Sequence, residues 1–215
     1  RRAMQGLKDK VAIVTGGATM IGAAVVRALH REGARIVIAD INEKDGSSIA
    51  AVLGSNVLFV KTDLIDDAQI GACVEKTMKA FGGIDFLINV ACVYIDDALN
   101  STRQQWLESY NVNVVGGVMM LKAVRPHMAK RGGGCVVNFG SISAKIAQTG
   151  RWLYPVTKAA ILQLTRNQAM DLAGEKIRVN SVSPGWTWCR LMSEVTGGDK
   201  RKTNRVGGPF HLLGR

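Results

Sequence analysis

The sequence predicts an α/β fold in which a doubly wound parallel sheet carries helices on both faces. Short apolar runs rich in β-branched residues alternate with helical segments along most of the chain, and repeated strand–helix units of this kind indicate parallel strands. The first apolar run ends at a glycine-rich turn that leads directly into a helix. The length of 215 residues and the hydrophobic fraction of 47% suit a single domain over residues 1–215.

The first strand–helix unit predicts a dinucleotide-binding turn. The strand Lys10–Thr15 is followed by the turn Gly16–Gly22 and by a helix over Ala23–Arg31. Such a turn presents backbone N–H groups and the positive end of a helix to a pyrophosphate, and glycine lets the ligand approach the backbone closely. The residues predicted to contact the dinucleotide here are Thr15, Gly16, Ala18, Thr19, Met20, Ile21 and Gly22.

The second strand, Ala34–Ala39, ends at Asp40, eighteen residues after Gly22. A dinucleotide fold places an acid here to accept hydrogen bonds from the ribose hydroxyls. The carboxylate would repel a 2′-phosphate, and Ile41 rather than a cation follows it, so we predict NAD rather than NADP, with both residues as contacts. The alternative is that Asp40 only caps the helix that begins near Asn42.

Polar residues follow the next two predicted strands. The alternation continues with strand Val57–Lys61, helix Asp66–Phe81 and strand Ile84–Asn89. Asp63 and Asn89 stand at strand carboxyl ends, where ligands collect in open α/β sheets, although either is also a common turn or capping residue. The predicted cofactor contacts in these segments are Asp63, Leu64, Asn89, Val90 and Ala91.

Two further helices are predicted over Ser101–Tyr110 and Val112–Met128. Asn113 lies inside the second helix, where asparagine is a poor helix former. A disturbed helical turn at Asn113 would free a backbone carbonyl for water, whereas the alternative is an ordinary surface asparagine.

A serine, a tyrosine and a lysine after the fifth strand indicate a reaction centre. Strand Gly134–Asn138 leads to Ser141, and a helix is predicted over Pro155–Ala173. Tyr154 and Lys158 then share one face of this helix. We expect the lysine charge to lower the pKa of the Tyr154 phenol from its usual ~10, so that the phenol exchanges a proton with a substrate. Ser141 would hydrogen-bond the same substrate oxygen.

The sequence after the sixth strand, Ile177–Val182, predicts a flap over the substrate. Residues from Trp186 to about Gly208 have no clean periodicity, which indicates a mobile segment that closes over a ligand; the alternative is a surface excursion without a function. The pocket residues indicate a bulky, largely apolar substrate, unless the aromatic ones only pack the flap against the domain. They are Tyr94, Ser141, Ser143, Trp152, Trp186, Trp188 and Met192.

Composition and charge argue against several other classes of protein. The four cysteines are scattered and have no histidine partners at ligand spacing, which argues against a metal site. The net charge of +11 is spread along the chain rather than gathered with aromatic residues, so no nucleic-acid partner is predicted. No apolar run approaches the ~20 residues of a membrane span and no signal peptide is apparent, which predicts a cytoplasmic protein.

Together these motifs resemble those of the short-chain dehydrogenase/reductase family, which couples a Rossmann-type sheet to a Ser-Tyr-Lys site. The resemblance covers nearly the whole chain, from the turn after Thr15 onwards. It implies that Tyr154 is the general acid/base and that Ser141 orients the substrate oxygen. It also implies that Lys158 holds the nicotinamide ribose and that the backbone of Asn113 anchors a water in the proton relay.

The same resemblance places Asp63 beside the adenine and Pro184–Gly185 beside the nicotinamide. The chain departs from the family pattern at Met20, which replaces the middle glycine of the turn. The segment that begins at Asn89 also departs from the family pattern, because Val90 and Cys92 stand where the family has an asparagine and a glycine. Where many members place a threonine near the carboxamide this chain has a cysteine, for which Thr187 is expected to substitute.

The family resemblance implies an enzyme that oxidises a secondary alcohol, or reduces the ketone, by hydride transfer with NAD. The alternatives are a catalytically silent NAD-dependent regulatory protein of the same fold and a basic nucleic-acid-binding protein, and the presence of Ser141, Tyr154 and Lys158 argues against both. The family usually forms homotetramers, partly through the helices at Val112–Met128 and Pro155–Ala173. Members usually continue through another helix, a seventh strand and a tail, so a chain that ends at Arg215 is expected to expose an apolar sheet edge and to aggregate.

Overall fold

Six strands form one parallel sheet in the order β3-β2-β1-β4-β5-β6 in the computed structural model of the chain. It describes residues 6–210, without the side chains of residues 190, 191, 195 and 210. The fold class predicted from the sequence is confirmed. The strands are β1 Val11–Thr15, β2 Arg35–Asp40, β3 Val57–Lys61, β4 Phe86–Asn89, β5 Gly134–Phe139 and β6 Ile177–Val182.

Helices cover both faces of the sheet. Ile13 of β1 packs in an apolar cluster with the helices at residues 67–81, 116–130 and 153–172. The next residue, Val14, packs in a second cluster with the helices at residues 20–31 and 43–53. Successive strand residues point to opposite faces, so these clusters form two cores, one on each side of the sheet. The helices are α1 Met20–Arg31, α2 Glu43–Leu53, α3 Asp67–Phe81, α4 Arg103–Tyr110, α5 Gly116–Lys130, α6 Leu153–Leu172, α7 Arg190–Thr196 and α8 Lys200–Gly207.

The order of the strands reverses between β1 and β4, and this reversal creates a crevice at the carboxyl edge of the sheet. The last residues of the central strands lie side by side there. Thr15 lies opposite Ala39 of β2 and Asn89 of β4, and Asn89 in turn lies opposite Asn138 of β5. The loops that follow these strands therefore meet at one edge.

Two helices begin earlier than the sequence predicts. Helix α1 begins three residues early because Thr19 caps it, with Oγ1 accepting a hydrogen bond from the Gly22 N–H at 3.2 Å. Helix α6 begins two residues before Pro155. The proline still lies in the first turn, where its missing N–H removes no intrahelical hydrogen bond.

The two helices predicted between residues 101 and 128 form one continuous segment. Helices α4 and α5 are joined by a π-helical turn, Asn111–Val115, which contains Asn113. The predicted disturbance of the helix at Asn113 is therefore confirmed. Its side chain is buried, with only 5% of the residue exposed, which excludes the alternative of a surface asparagine.

The stretch from Trp186 to Gly208 contains two helices, α7 and α8, which its lack of clean periodicity did not predict. Asp199 caps α8 by accepting a hydrogen bond from the Arg201 N–H at 2.8 Å. The buried hydroxyls of Thr196 and Thr203 lie 2.8 Å apart and join the two helices. The mobility of the stretch stays a prediction.

Candidate active site

The glycine-rich turn packs tightly against the end of β4. Gly16 has a φ of +65°, and a Cβ at this position would lie 2.7 Å from the backbone of Ala91. A Cβ on Gly22 would overlap the carbonyl oxygen of Gly16. Both positions therefore require glycine. Met20, which begins α1, is 46% exposed, so its side chain lies at the surface of the turn.

The N-terminus of α1 offers unpaired backbone donors. Across residues 6–210, the N–H groups of Met20 and Ile21 have no acceptor within hydrogen-bonding distance. Helix α1 also has no acidic residue in its first turn. Free N–H groups and the positive end of the helix dipole suit an anion such as a pyrophosphate.

Asp40 braces the glycine-rich turn from the end of β2. Its carboxylate is buried and accepts two hydrogen bonds of 2.9 Å, one from the Ala18 N–H and one from the Asn42 N–H. Asn42 itself caps α2, which excludes the alternative that Asp40 is the cap. A carboxylate has about four acceptor sites, so Asp40 can accept further hydrogen bonds. Ile41, the next residue, is 64% exposed.

Thr15 connects the turn to the segment after β4. Its Oγ1 accepts hydrogen bonds from the N–H groups of Val90 at 3.2 Å and Ala91 at 3.4 Å. The side chain is fully buried by these contacts. Thr15 therefore holds the glycine-rich turn against the segment after β4.

The polar residues at the ends of β3 and β4 are partly used by the fold itself. Asp63 Oδ1 accepts a hydrogen bond from the Ile65 N–H at 3.2 Å, and the side chain of Leu64 is buried in a core cluster. Asn89 donates from Nδ2 to Asn138 Oδ1 at 3.0 Å. Asn89 Oδ1 is buried and has no hydrogen-bond partner among the described residues.

Ser141 and Tyr154 line the same cavity, which has a volume of about 190 Å³. Ser141 follows β5, and Tyr154 lies in the first turn of α6. Ser141 Oγ accepts a hydrogen bond from the Ser143 N–H at 3.1 Å, which fixes the hydroxyl beside the cavity. Of the predicted pocket residues, the cavity is also lined by Tyr94, Ser143, Trp186 and Met192.

Two predicted pocket residues, Trp152 and Trp188, do not line this cavity. The Trp188 ring lies under the Lys200 ammonium group of α8, with 5.5 Å between Nζ and the ring centroid. Trp152 is 47% exposed and precedes α6. The aromatic wall around this cavity is therefore smaller than the sequence predicted.

Burial raises the pKa of the Tyr154 phenol, and the nearby Cys92 thiol adds to this effect. Hydrogen bonding from Tyr94 and Ser141 lowers the pKa but does not offset the burial. The predicted decrease caused by Lys158 is therefore wrong for this structure. The Tyr94 ring stacks on the Tyr154 ring, with 4.6 Å between centroids and 27° between planes.

Lys158 faces inwards, away from the larger cavity. Its Nζ donates a hydrogen bond to the Phe139 carbonyl oxygen at 2.8 Å and lies 5.5 Å from the centroid of the Tyr154 ring. Burial lowers the pKa of the lysine. Lys158 lines a smaller void of about 10 Å³ together with Asn89 and Asn113. This void has room for about one water molecule.

Asn113 ties three segments together. Its Oδ1 accepts a hydrogen bond from the Val93 N–H at 2.7 Å, and its Nδ2 donates to the Val93 carbonyl oxygen at 3.2 Å. Nδ2 also donates to Thr157 Oγ1 on α6 at 3.1 Å. The π-helical turn, the loop after β4 and the helix that carries Tyr154 are thus joined through one side chain.

Asp96, in the loop after β4, caps the helix that carries Tyr154. Its carboxylate accepts hydrogen bonds from the N–H groups of Trp152 at 2.8 Å and Tyr154 at 3.0 Å. Partial burial works against the charged form, but these backbone donors hold the pKa of Asp96 below its ordinary value. No local pattern in the sequence predicts this contact, because the cap comes from a residue 56 to 58 positions away.

The loop between β5 and α6 adds Gln148 and Arg151 to the cavity wall, and the loop after β6 adds Gly185 and Thr187. Pro184 does not line the cavity, and its carbonyl oxygen accepts a hydrogen bond from the Ile142 N–H at 3.1 Å. Gln148 and Arg151 were missed by the sequence analysis. Their position between Ser141 and Tyr154 was the available signal.

The described residues contain no group of three His, Cys, Asp or Glu side chains placed to hold a metal ion. Within the same part of the chain, every helix is too short or too polar to cross a membrane.

Comparison with known proteins agrees with this geometry. The sequence profile described as enoyl-(acyl carrier protein) reductase matches residues 16–211. The chain is 36% identical to galactitol 2-dehydrogenase from Agrobacterium fabrum, over 83% of this chain and 71% of the relative. The chain belongs to the short-chain dehydrogenase/reductase family.

Other members of the short-chain dehydrogenase/reductase family show how widely their substrates vary. The 3-alpha-(or 20-beta)-hydroxysteroid dehydrogenase of Mycobacterium bovis is 36% identical over 83% of this chain and 69% of its own length. Among solved structures, the 3-ketoacyl-(acyl-carrier-protein) reductase from Brucella melitensis, complexed with NADH, superposes with a TM-score of 0.84 at 27% identity. That alignment covers 86% of this chain and 79% of the reductase.

Proposed function

We propose that this protein is an NAD-dependent oxidoreductase that interconverts a secondary alcohol and its ketone, with Tyr154 as the general acid/base. The observation that carries the proposal is that Ser141 and Tyr154 line one cavity at the carboxyl edge of the sheet. The relatives support it, because they are named as dehydrogenases and reductases of alcohols and ketones.

The residues around the glycine-rich turn fit the dinucleotide. The free N–H groups of Met20 and Ile21 would hold the pyrophosphate, and Asp40 would accept hydrogen bonds from the adenosine ribose. When bound, NAD supplies the acceptor or donor of the hydride. The other residues proposed to hold it are Thr15, Gly16, Ala18, Thr19, Gly22, Ile41, Asp63, Leu64, Asn89, Val90, Ala91, Tyr154, Lys158, Pro184, Gly185 and Thr187.

The proton chemistry is assigned to four residues. Tyr154 Oη would accept the hydroxyl proton of the alcohol during oxidation and donate it to the ketone oxygen during reduction. Ser141 would hydrogen-bond the same oxygen and hold it near Tyr154. Lys158 and Asn113 line the inner void, where a water molecule would connect them as a path for the proton.

The proposal extends to the cellular setting of the enzyme. We place it in the cytoplasm, as one domain without nucleic-acid or membrane partners, and as a homotetramer assembled partly through α5 and α6. The stretch from Trp186 to Gly208 would close over the substrate.

The direct test is turnover with NAD and a panel of secondary alcohols, followed through NADH absorbance. The panel spans small hydroxy acids, their neutral esters, polyols, cyclic alcohols and steroids, and the reverse reaction uses the matching ketones with NADH. Turnover of at least one pair supports the proposal. NADH binding without turnover across the whole panel would instead indicate a silent regulatory protein.

A further inference from the structure

Arg151 places an uncompensated positive charge on the wall of the proposed substrate cavity. Throughout residues 6–210, Arg151 makes no hydrogen bond or ion pair, and no Asp or Glu lines this cavity. A guanidinium group stays charged at any pH of interest, and its planar fork of donors matches a carboxylate. The cavity therefore has a built-in preference for an anionic group.

Gln148 provides a second polar group on the same wall. Its Oε1 is buried and has no hydrogen-bond partner among the described residues. A buried acceptor without a partner is unfavourable, and a donor on a bound ligand would relieve it. Gln148 and Arg151 are three residues apart in one loop, so a single ligand can contact both.

The size of the cavity limits the rest of the ligand. A cavity of about 150 Å³ holds a molecule of benzene, and this one measures about 190 Å³. Tyr94, Trp186 and Met192 supply apolar surface on its remaining walls. The part of the ligand that lies inside the cavity is therefore a short apolar body.

From these contacts we infer that the substrate is a small hydroxy acid or oxo acid whose carboxylate pairs with Arg151. Its reacting oxygen lies at Ser141 and Tyr154, and a hydroxy acid with a second hydroxyl group would also donate a hydrogen bond to Gln148 Oε1. This inference rests on the proposed function and narrows the expected substrate from bulky and apolar to small and anionic.

The test compares matched ketones with NADH: 4-oxopentanoate, its methyl ester, and a ketone phosphate of similar length. The wild-type protein is expected to prefer the carboxylate over both other compounds. Arg151→Gln should raise the KM for 4-oxopentanoate about 10- to 100-fold, the range for loss of a charge-assisted hydrogen bond, and leave kcat nearly unchanged. It should leave kcat/KM for the ester unchanged, and Arg151→Lys should recover part of the loss.

Lys145→Gln is the matched control, because it removes an exposed cation from the same loop that does not line the cavity. Lys145→Gln should leave kcat and KM unchanged for both 4-oxopentanoate and its ester. A wild-type preference for the ester or for the phosphate, or an equal effect of Arg151→Gln on acid and ester, overturns the inference while the proposed function stands.

If no compound of the full alcohol and ketone panel turns over, the proposed function fails. The inference about Arg151 is then tested separately by ligand binding. Titration calorimetry of 4-oxopentanoate in the presence of NADH should then show binding to the wild-type protein that Arg151→Gln abolishes. Absence of binding, or equal binding to both proteins, overturns it.

Discussion

At the scale of single residues, Tyr154 shows how burial sets the chemistry of the site. Since burial raises the pKa of the phenol, Tyr154 carries its proton at neutral pH. A protonated phenol beside Ser141 is ready to donate to a ketone oxygen. Oxidation of an alcohol needs the phenolate instead and is favoured as the pH rises.

Tyr154→Phe tests this role, because it removes only the hydroxyl group. We expect kcat to fall by about 10² to 10⁴-fold, the usual contribution of a positioned acid or base. The affinity for NADH, measured by fluorescence titration, should stay close to that of the wild-type protein. Tyr110→Phe, at a tyrosine that does not line the cavity, is the control and should keep full activity. A wild-type kcat in Tyr154→Phe contradicts the mechanism.

Asp40 sets the preference for NAD in our proposal. A 2′-phosphate near its carboxylate would cost on the order of 1 to 4 kcal/mol in Coulomb repulsion. Asp40→Ser should therefore lower kcat/KM with NAD and raise kcat/KM with NADP, so that the ratio of the two values becomes smaller. Asp67→Ser, at an exposed acid of α3, should leave the ratio unchanged. A wild-type preference for NADP would show that Asp40 is misassigned.

The sequence was sufficient to propose Ser141, Tyr154 and Lys158 as site residues, because their spacing is local and two of them share one helix. It did not indicate Asp96 and Arg151, because their positions at the site depend on contacts that only the folded chain creates. It also misjudged the pKa of Tyr154, since the extent of burial cannot be read from the spacing of a tyrosine and a lysine.

At the scale of elements, helix α6 depends on a cap from elsewhere in the chain. Its own N-cap residue, Trp152, makes no side-chain hydrogen bond to the helix. Asp96 supplies the missing acceptor and bonds directly to the backbone of Tyr154. The carboxylate also interacts favourably with the positive end of the helix dipole.

Asp96→Ala should lower the free energy of unfolding by about 1 to 2 kcal/mol, as the loss of an N-cap does. It should also lower kcat by roughly 10-fold with little change in the KM for NADH, because small displacements of catalytic groups are costly. Asp96→Asn keeps a hydrogen-bond acceptor, so its stability and its kcat should lie between those of the wild-type protein and those of Asp96→Ala. Asp97→Ala removes the adjacent exposed carboxylate, which makes no cap hydrogen bond, and should resemble the wild-type protein. Equal melting temperatures and kcat values in both alanine variants would argue against the cap.

The strands were predictable within one or two residues, because buried parallel strands are continuous runs of β-branched residues between glycine and polar turns. Helix α8 was not found, although Asp199 ahead of Lys200 is a recognisable N-cap signal. The short helix and its two neighbouring glycines gave too little periodicity to reveal it.

At the scale of the whole molecule, the sheet order brings the glycine-rich turn and the cavity lined by Ser141 and Tyr154 to the same edge. The turn follows β1 and the cavity residues follow β4, β5 and β6, which lie in sequence beside it. This convergence was predictable, since the alternation of strands and helices determines a parallel sheet. Which residues form the outer surface was less predictable, because it depends on which faces of the helices no other element covers.

Assembly through α5 and α6 is testable at an exposed apolar residue of α6. Met170 is 83% exposed, and Val52 of α2, which is 82% exposed, serves as the control position. The wild-type protein should elute as a tetramer in size-exclusion chromatography with light scattering. Met170→Glu should produce smaller species, because a charge is costly in an apolar interface, and Val52→Glu should not. A monodisperse wild-type monomer would contradict the assembly.

The two hydrogen bonds from the turn and from Asn42 to Asp40 have a consequence for protein engineering. A substitution that removes the carboxylate to admit NADP also removes support from the glycine-rich turn that we propose to hold the phosphates. Redesign at Ile41 avoids the loss of these hydrogen bonds, because its side chain is exposed and directly follows Asp40 in the chain. An arginine at Ile41 would add attraction for a 2′-phosphate and leave the scaffold of the turn intact.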